Sequence, residues 1–499
     1  MSSMGQTNPM AAVAGVGTIA RPQAVVRPHY FRLLTILFLL SLPLVNPWVR
    51  GDGVGYYAYV RSLLIDHDLH FDDEWLAANS SFLQGRTDSN GHLLPTQYSP
   101  TGYVKNHFSI GPSILWVPFL LGTHGAVLLL DRLGAHIPAD GYSPPYLITM
   151  AAATALYGFL GLLLSFSLAR YYFDERWALL ATLGIWCGSS LLVYMYFNPS
   201  WSHAHSAFAV ALFLWYWHRT RVQRTLPQWL LLGLCAGLMA DVYYPNAILL
   251  LVPGTEAIVQ YREILLEQAG RLASLFRLLR AHALFMFVTC LGVLPTFIVH
   301  RIIYGNAFES DYPPLRNWFW TSPVLLRVLF SADHGMLSWT PILIPAILGL
   351  IPFLFRDRIF GTGLLLSFLA YYYFIASYPD WDGISSFGNR FFVSLTPVFV
   401  LGLAAFLDFV ARRWAYFGNH VAVAACVTGL LILWNGSFVL QWGTNMIPTR
   451  GPISWGAMVH NQYEAVPERV GGELRRYFWG RKAMMQHIEE RDLNKLKSK

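Results

Sequence analysis

Charge is what this sequence has least of. Only 13% of its residues are Asp, Glu, Lys or Arg, against about 25% in soluble domains, which excludes an ordinary soluble globular protein. Cysteine is equally scarce. Cys187, Cys235, Cys290 and Cys426 lie singly in apolar runs with neither CxxC nor metal-ligand spacing. They read as small buried hydrophobes, excluding a thiolate metal cluster and leaving the redox compartment open. No inverted internal repeat of the kind that marks secondary transporters is visible. The run Tyr30–Trp48 has no small-residue cleavage site, so it reads as a retained helix with residues 1–29 as a cytoplasmic tail.

Long apolar runs take the place of charge. Hydrophobic residues make up 55% of the chain and mean hydropathy is +0.41; many runs approach the ~20 residues needed to cross a bilayer as helix. The 18 Trp and 26 Tyr suit interfacial belts. The net charge of +7 falls in short loops (His218–Arg224, Arg262–Arg280, Arg356–Arg358, Arg412–Arg413), the pattern of cytoplasmic positive bias and not of nucleic-acid binding. The fold class is therefore an all-α polytopic membrane protein, with a transmembrane domain over 30–440 and about eleven spans. These are 30–49, 145–169, 177–197, 203–218, a short pair at 228–241 and 244–260, then 281–303, 336–355, 361–378, 390–411 and 417–440. The first outer loop runs over 51–144. Its apolar segment 108–130 is read as re-entrant or surface-lying, because a full crossing would put Arg170 and Arg176 outside. The pair at 228–260, broken at Asp241–Asn246, reads as two spans or as a hairpin reaching partway across. The tail 441–499 falls outside.

The outward side carries the unusual polar chemistry. Asp52 follows the first span directly, where a carboxylate is costly unless partnered. It can equally be the N-cap of an amphipathic helix through Tyr56 and Tyr57. The stretch Asp66–Glu74 reads as a solvated turn. Lys105 and Arg390 are candidate cations for a phosphate, Arg for its fork and Lys as a point charge; a surface lysine and a snorkelling arginine are the plain alternatives. His203 and His205 stand two apart at a helix start, a poor metal clamp, and His107 and His334 are lone histidines. Asp380-x-Asp382 spells DxD without a nucleotide-binding domain around it. Trp381 beside Asp382 could meet sugar, as could Tyr56, Tyr57, His107 and His203; for any one aromatic the interfacial belt is the alternative.

In order and in membrane side, Gly51-Asp52-Gly53-Val54-Gly55-Tyr56-Tyr57, Lys105-Asn106-His107-Phe108-Ser109-Ile110-Gly111-Pro112, Tyr194–Ser206, His334–Pro341 and Trp381–Phe391 resemble the GT-C superfamily of membrane glycosyltransferases. Protein O-mannosyltransferases and the aminoarabinose transferases of lipid A are relatives, and the resemblance to uncharacterised bacterial members is closer. It spans most of 30–410. It implies a GT-C-like bundle with a large first outer loop. It further implies a polyprenyl-phosphate-linked sugar as donor, inversion at the anomeric carbon, and Asp52 as the catalytic acid residue by position. The chain departs from the family pattern in two places. Gly53 follows Asp52 where protein mannosyltransferases have a second acid, and Asp241 stands where relatives often have Arg.

The expectation is an integral glycosyltransferase of the cytoplasmic membrane, its site facing the periplasm or exterior. Asp52 would be the general base and Lys105 and Arg390 would hold the donor phosphate. The acceptor would be a glycan, lipid or protein, with membrane lipids as further partners and no nucleic acid. No cofactor is implied, although Asp52 with a neighbouring His could hold a divalent metal. A lipid-linked sugar flippase or other transporter is the alternative.

Overall fold

The computed structural model describes residues 28–267, 269–414 and 418–497; most of the expected cytoplasmic tail, 1–29, lies outside the described residues. Helices longer than eight residues are numbered in chain order. They are α1 (Pro28–Ser41), α2 (Asp52–Arg61), α3 (Gly111–Arg132), α4 (Pro144–Tyr172), α5 (Glu175–Gly188), α6 (His203–Thr220), α7 (Leu226–Val242) and α8 (Leu251–Leu266). There follow α9 (Arg271–Tyr304), α10 (Arg358–Ser377), α11 (Thr396–Arg413), α12 (His420–Gly443), α13 (Trp455–Tyr463), α14 (Ala465–Trp479) and α15 (Arg481–Lys497). Among the described residues the only β pairing is two isolated bridges. Among the described residues six helices are long and apolar enough to cross a membrane, and His29–Leu44, Leu226–Val242 and Leu343–Arg356 are shorter apolar stretches.

Local chemistry sets the helix ends. The Asp174 carboxylate accepts from Arg176 N at 2.9 Å to start α5, and Asp357 accepts from Phe360 N at 3.1 Å to start α10. Thr225 and Gln228 form a capping box at α7. Between α7 and α9 a Cβ on Gly237 or Gly292 would sit 2.7 Å from the other glycine's Cα. Two backbones can touch there only because neither residue has a side chain.

The bundle has two ends of opposite character. At one, Asp357 meets Arg221 at 2.5 Å and the Tyr172 hydroxyl at 2.8 Å, Glu256 meets Arg224 at 2.8 Å, and Arg170 lies 4.8 Å over Phe31. The ends of α4, α6 and α8 and the starts of α1, α7 and α10 converge here, gathering the basic loops. At the other end lie the first loop, the Tyr194–Ser202 turn, the Tyr378–Arg390 loop and helices α13 to α15.

Three segments differ from simple crossings. Helix α3 packs antiparallel on α4 through Tyr157 to Leu115 O (3.0 Å), Trp116 to Thr154 (2.9 Å) and His124 to Tyr146 (2.7 Å). It starts beside the last third of α9, where Ile110 N donates to Thr296 at 3.1 Å, and returns beside the start of α4 without approaching the basic end. The Asp241–Thr296 hydrogen bond of 2.5 Å puts the tip of α7 level with Thr296. That is eight residues before the last of α9, or about 12 Å at 1.5 Å per residue. Residues 226–266 are thus a hairpin that stops short of the far end. The span expected at 336–355 is broken into Met336–Trp339, Leu343–Leu348 and Leu350–Arg356, because Pro341, Pro345 and Pro352 each remove a helix donor.

Candidate active site

The site begins with glycine spacing. Gly51 has φ of 55°, and a Cβ there would come within 3.1 Å of the Trp201 ring. A Cβ on Gly53 would collide with the Ser200 side chain, and one on Gly55 with Phe108. The three glycines therefore let α2 lie directly against the 198–203 turn and the 105–109 segment. The contact is then fastened. Trp201 Nε1 donates to Arg50 O at 2.9 Å, Asn106 Nδ2 to Gly55 O at 2.9 Å, and the Ser202 hydroxyl to Tyr56 Oη at 3.0 Å.

This packing brings Asp52 to Arg390, more than three hundred residues away in sequence. Arg390 Nη2 lies 2.8 Å from Asp52 Oδ2. Its guanidinium stacks 4.4 Å over Trp201 and 5.4 Å from the Phe391 ring, while its buried Nε has no protein partner. Arg390 opens a 3₁₀ turn, Arg390–Leu395, that leads into α11. The preceding Tyr378–Asn389 loop is pinned by Asn389 Nδ2 to Trp381 O at 2.9 Å and by Phe387 N to the Tyr194 hydroxyl at 3.1 Å.

Asp52 and Arg390 open into a cavity of about 2050 Å³ that Lys105, His107, Tyr56, Trp201, His203, Tyr243, Tyr244 and Tyr312 also line. Its lining mixes aromatic rings with ionic side chains. Burial holds the His107 imidazole below its ordinary value although Asp52 pulls the other way, and its ring stands edge-on to Tyr312 at 4.7 Å. His203 packs against Tyr194 and Trp201, and its Nδ1 is buried without a partner. Among the described residues no group of three or more His, Cys, Asp or Glu is placed to hold a metal.

The sequence-derived candidates divide. Asp52, Arg390, Lys105, His107, His203 and Tyr56 share the cavity, whereas Tyr57, Trp381 and Asp382 are not among its lining residues. Tyr57 is one residue, or about 100°, round the helix from Tyr56, and its hydroxyl donates to Gly141 O at 2.5 Å. Trp381 is 4% exposed under Arg327, and Asp382 caps its own turn by accepting from Ile384 N at 3.0 Å. Asp380, the other acid of the DxD spelling, does line the cavity.

Sequence reasoning missed two contributors. Trp201 orders Arg390, yet a lone tryptophan in an apolar membrane chain carries no signal. The second is the tail, where α14 and α15 roof the cavity. Tyr477 donates to Leu44 O at 2.6 Å, Arg50 pairs with Asp492 at 2.9 Å, and Glu489 accepts from Asn79 Nδ2 at 2.7 Å and from Ser81 N at 2.5 Å. The cavity-lining stripe Val466, Val470, Leu474, Tyr477 has helical spacing that could have been read as a docking face.

No protein-family model and no curated protein matches the sequence. Among solved structures the chain is similar to ArnT from Cupriavidus metallidurans in the apo state, with TM-score 0.48 and 13% identity over 84% of this chain. It is also similar to the archaeal oligosaccharyltransferase AglB from Archaeoglobus fulgidus, in complex with an inhibitory peptide and a dolichol-phosphate, with TM-score 0.46 and 16% identity over 84% of this chain. The chain spans 66% and 58% of the lengths of those two proteins.

Proposed function

We propose that this chain is a GT-C-like membrane glycosyltransferase that moves a sugar from a polyprenyl-phosphate carrier to an acceptor on the outer face of the cytoplasmic membrane. The observation that carries the reading is the Asp52–Arg390 pair, 2.8 Å apart, opening into the cavity that Lys105 also lines. A base and a phosphate-binding cation are what the reaction needs side by side. The acceptor hydroxyl oxygen attacks the anomeric carbon while the bond from that carbon to the phosphate oxygen breaks. The phosphate leaves with the bonding pair, and the hydroxyl proton passes to the Asp52 carboxylate. Arg390 and Lys105 offset the charge that gathers on the leaving phosphate. Back-side attack inverts the anomeric centre. The cavity-lining aromatics Trp201, Tyr243 and Tyr312 offer ring faces for the sugar.

The test is direct. Asp52→Asn should abolish transfer from the right carrier while leaving expression and thermal stability intact; near-normal turnover would sink the assignment. The transporter reading is less well supported. Its one candidate ionisable group at a helix break, Asp241, is 1% exposed, bonded to Thr296 and not part of the cavity lining.

A further inference from the structure

A second set of cations lines the same cavity beyond the Asp52–Arg390 pair. Residues 86–105 form two short hairpins in series, with bridges Thr87–Leu93 and Tyr98–Val104. Leu94 N donates to Arg86 O and Lys105 N to Gln97 O, both at 2.8 Å. The turn Pro95–Gln97 joins the hairpins, so the backbones of Arg86 and Lys105 flank one short turn. Both side chains reach the cavity, as do Gln84, Thr96 and Gln97.

Arg86 is held in place. Its Nη1 donates to Phe82 O at 2.5 Å, and its guanidinium lies 4.3 Å over the Phe82 ring. Arg450, from the segment between α12 and α13, lines the cavity as well. Burial and, after it, the Arg450 charge depress the Arg86 pKa. Among the described residues neither arginine has a carboxylate within ion-pairing distance, and neither does Lys105. A solvated basic face would extend its guanidiniums toward water. Arg86 instead folds back onto a ring and a carbonyl, half-buried at the wall of the cavity that the exposed Arg450 also lines, and no carboxylate offsets either charge.

We propose that Arg86 and Arg450 bind a phosphate carried by the acceptor, which is therefore an anionic molecule and not a neutral glycan. The proposal rests on the assignment of Arg390 to the donor phosphate. The space allows it, since about 2050 Å³ exceeds the ~300–1,000 Å³ of a single-ligand pocket. Guanidinium forks suit phosphate oxygens, and Lys105 stands on the same turn as Arg86 with its side chain in the cavity shared with Asp52.

The test uses the full chain in neutral-lipid nanodiscs saturated with polyprenyl monophosphate. Dioctanoyl phosphatidic acid and uncharged dioctanoylglycerol are titrated as probes. The wild type should prefer the phosphatidic acid at least tenfold. Arg86→Gln/Arg450→Gln should lose that preference while its affinity for polyprenyl monophosphate changes less than threefold, which also reports a folded protein. An unchanged preference in the variant, or none in the wild type, overturns the proposal. So does a variant that instead loses discrimination between polyprenyl diphosphate and monophosphate, because the cations would then serve the donor. The readout is binding alone. If Asp52→Asn proves fully active yet the phosphate preference follows Arg86 and Arg450, the role of Asp52 falls and this site stands.

Discussion

Neutralising Asp52 should do two opposite things, and their combination is the sharpest test of the site. In the free protein Arg390 is bound to Asp52 at 2.8 Å. A donor phosphate on the same guanidinium would place its oxygens roughly 5 Å from the Asp52 carboxylate; at an effective dielectric of ~20, 332/(20 × 5) gives about 3 kcal/mol of repulsion. The Asp52 side chain is 31% exposed, so solvent screening lowers this by about half, to ~1.5 kcal/mol. That corresponds to roughly tenfold in affinity. Asp52→Asn should therefore bind polyprenyl phosphate about tenfold more tightly than the wild type. Its turnover should fall by about 10²–10⁴, the usual contribution of a positioned general base. Equilibrium binding of radiolabelled polyprenyl phosphate to purified protein, with single-turnover sugar transfer on the same samples, measures both. Affinity that is unchanged or weaker in Asp52→Asn refutes the idea that carboxylate and phosphate compete for Arg390. Retained turnover refutes the base.

Three further outcomes are expected. Trp201→Phe keeps a ring under Arg390 but loses the bond to Arg50 O, so donor affinity should fall about three- to tenfold with little change in saturated turnover; an equal loss in both would mean that Trp201 touches the reacting atoms. Gly53→Ala drives a methyl into Ser200 and should cost about 1–3 kcal/mol in detergent unfolding, partly recovered by Gly53→Ala/Ser200→Gly; no recovery would put the strain elsewhere. Burial, opposed by Arg61 at 3.0 Å, pushes the Glu74 carboxyl up from 4.5 to about 7. A raised carboxylate pKa means that the folded state holds the proton longer, so its stabilising effect is complete below pH ~4.5 and declines until about pH 7, by up to ~3 kcal/mol. Glu74→Gln should flatten that decline in unfolding measured from pH 4.5 to 7.5, and a decline identical to wild type would show that Glu74 does not cause it.

Composition and periodicity made the fold class legible. Scarce charge, apolar runs and clustered basic loops follow from a solvent that hydrogen-bonds nothing, and each is visible residue by residue along 145–169 or 281–303. Asp52 stood out for the same reason, as a carboxylate at the edge of an apolar run. Helix depth was not legible. Whether 111–132 and 226–266 run the full length depends on what they pack against, and Thr296, eight residues before the end of α9, marks the level for both. Trp381 and Asp382 had the right chemistry for a sugar, but the loop's own hydrogen bonds turn them into its framework.

Sequence by itself determined a polytopic helical chain with its polar chemistry gathered at one end, because hydrophobic burial and the positive bias act locally and leave their pattern in order along the chain. Tertiary structure alone decided which of those polar groups meet. Asp52 finds Arg390 because Gly51 and Gly53 let the start of α2 approach Trp201 and Ser200, and α14 and α15 close the roof through Tyr477, Glu489 and Asp492. These are contacts between residues tens to hundreds of positions apart, set by backbone distance and side-chain direction, which no one-dimensional pattern records.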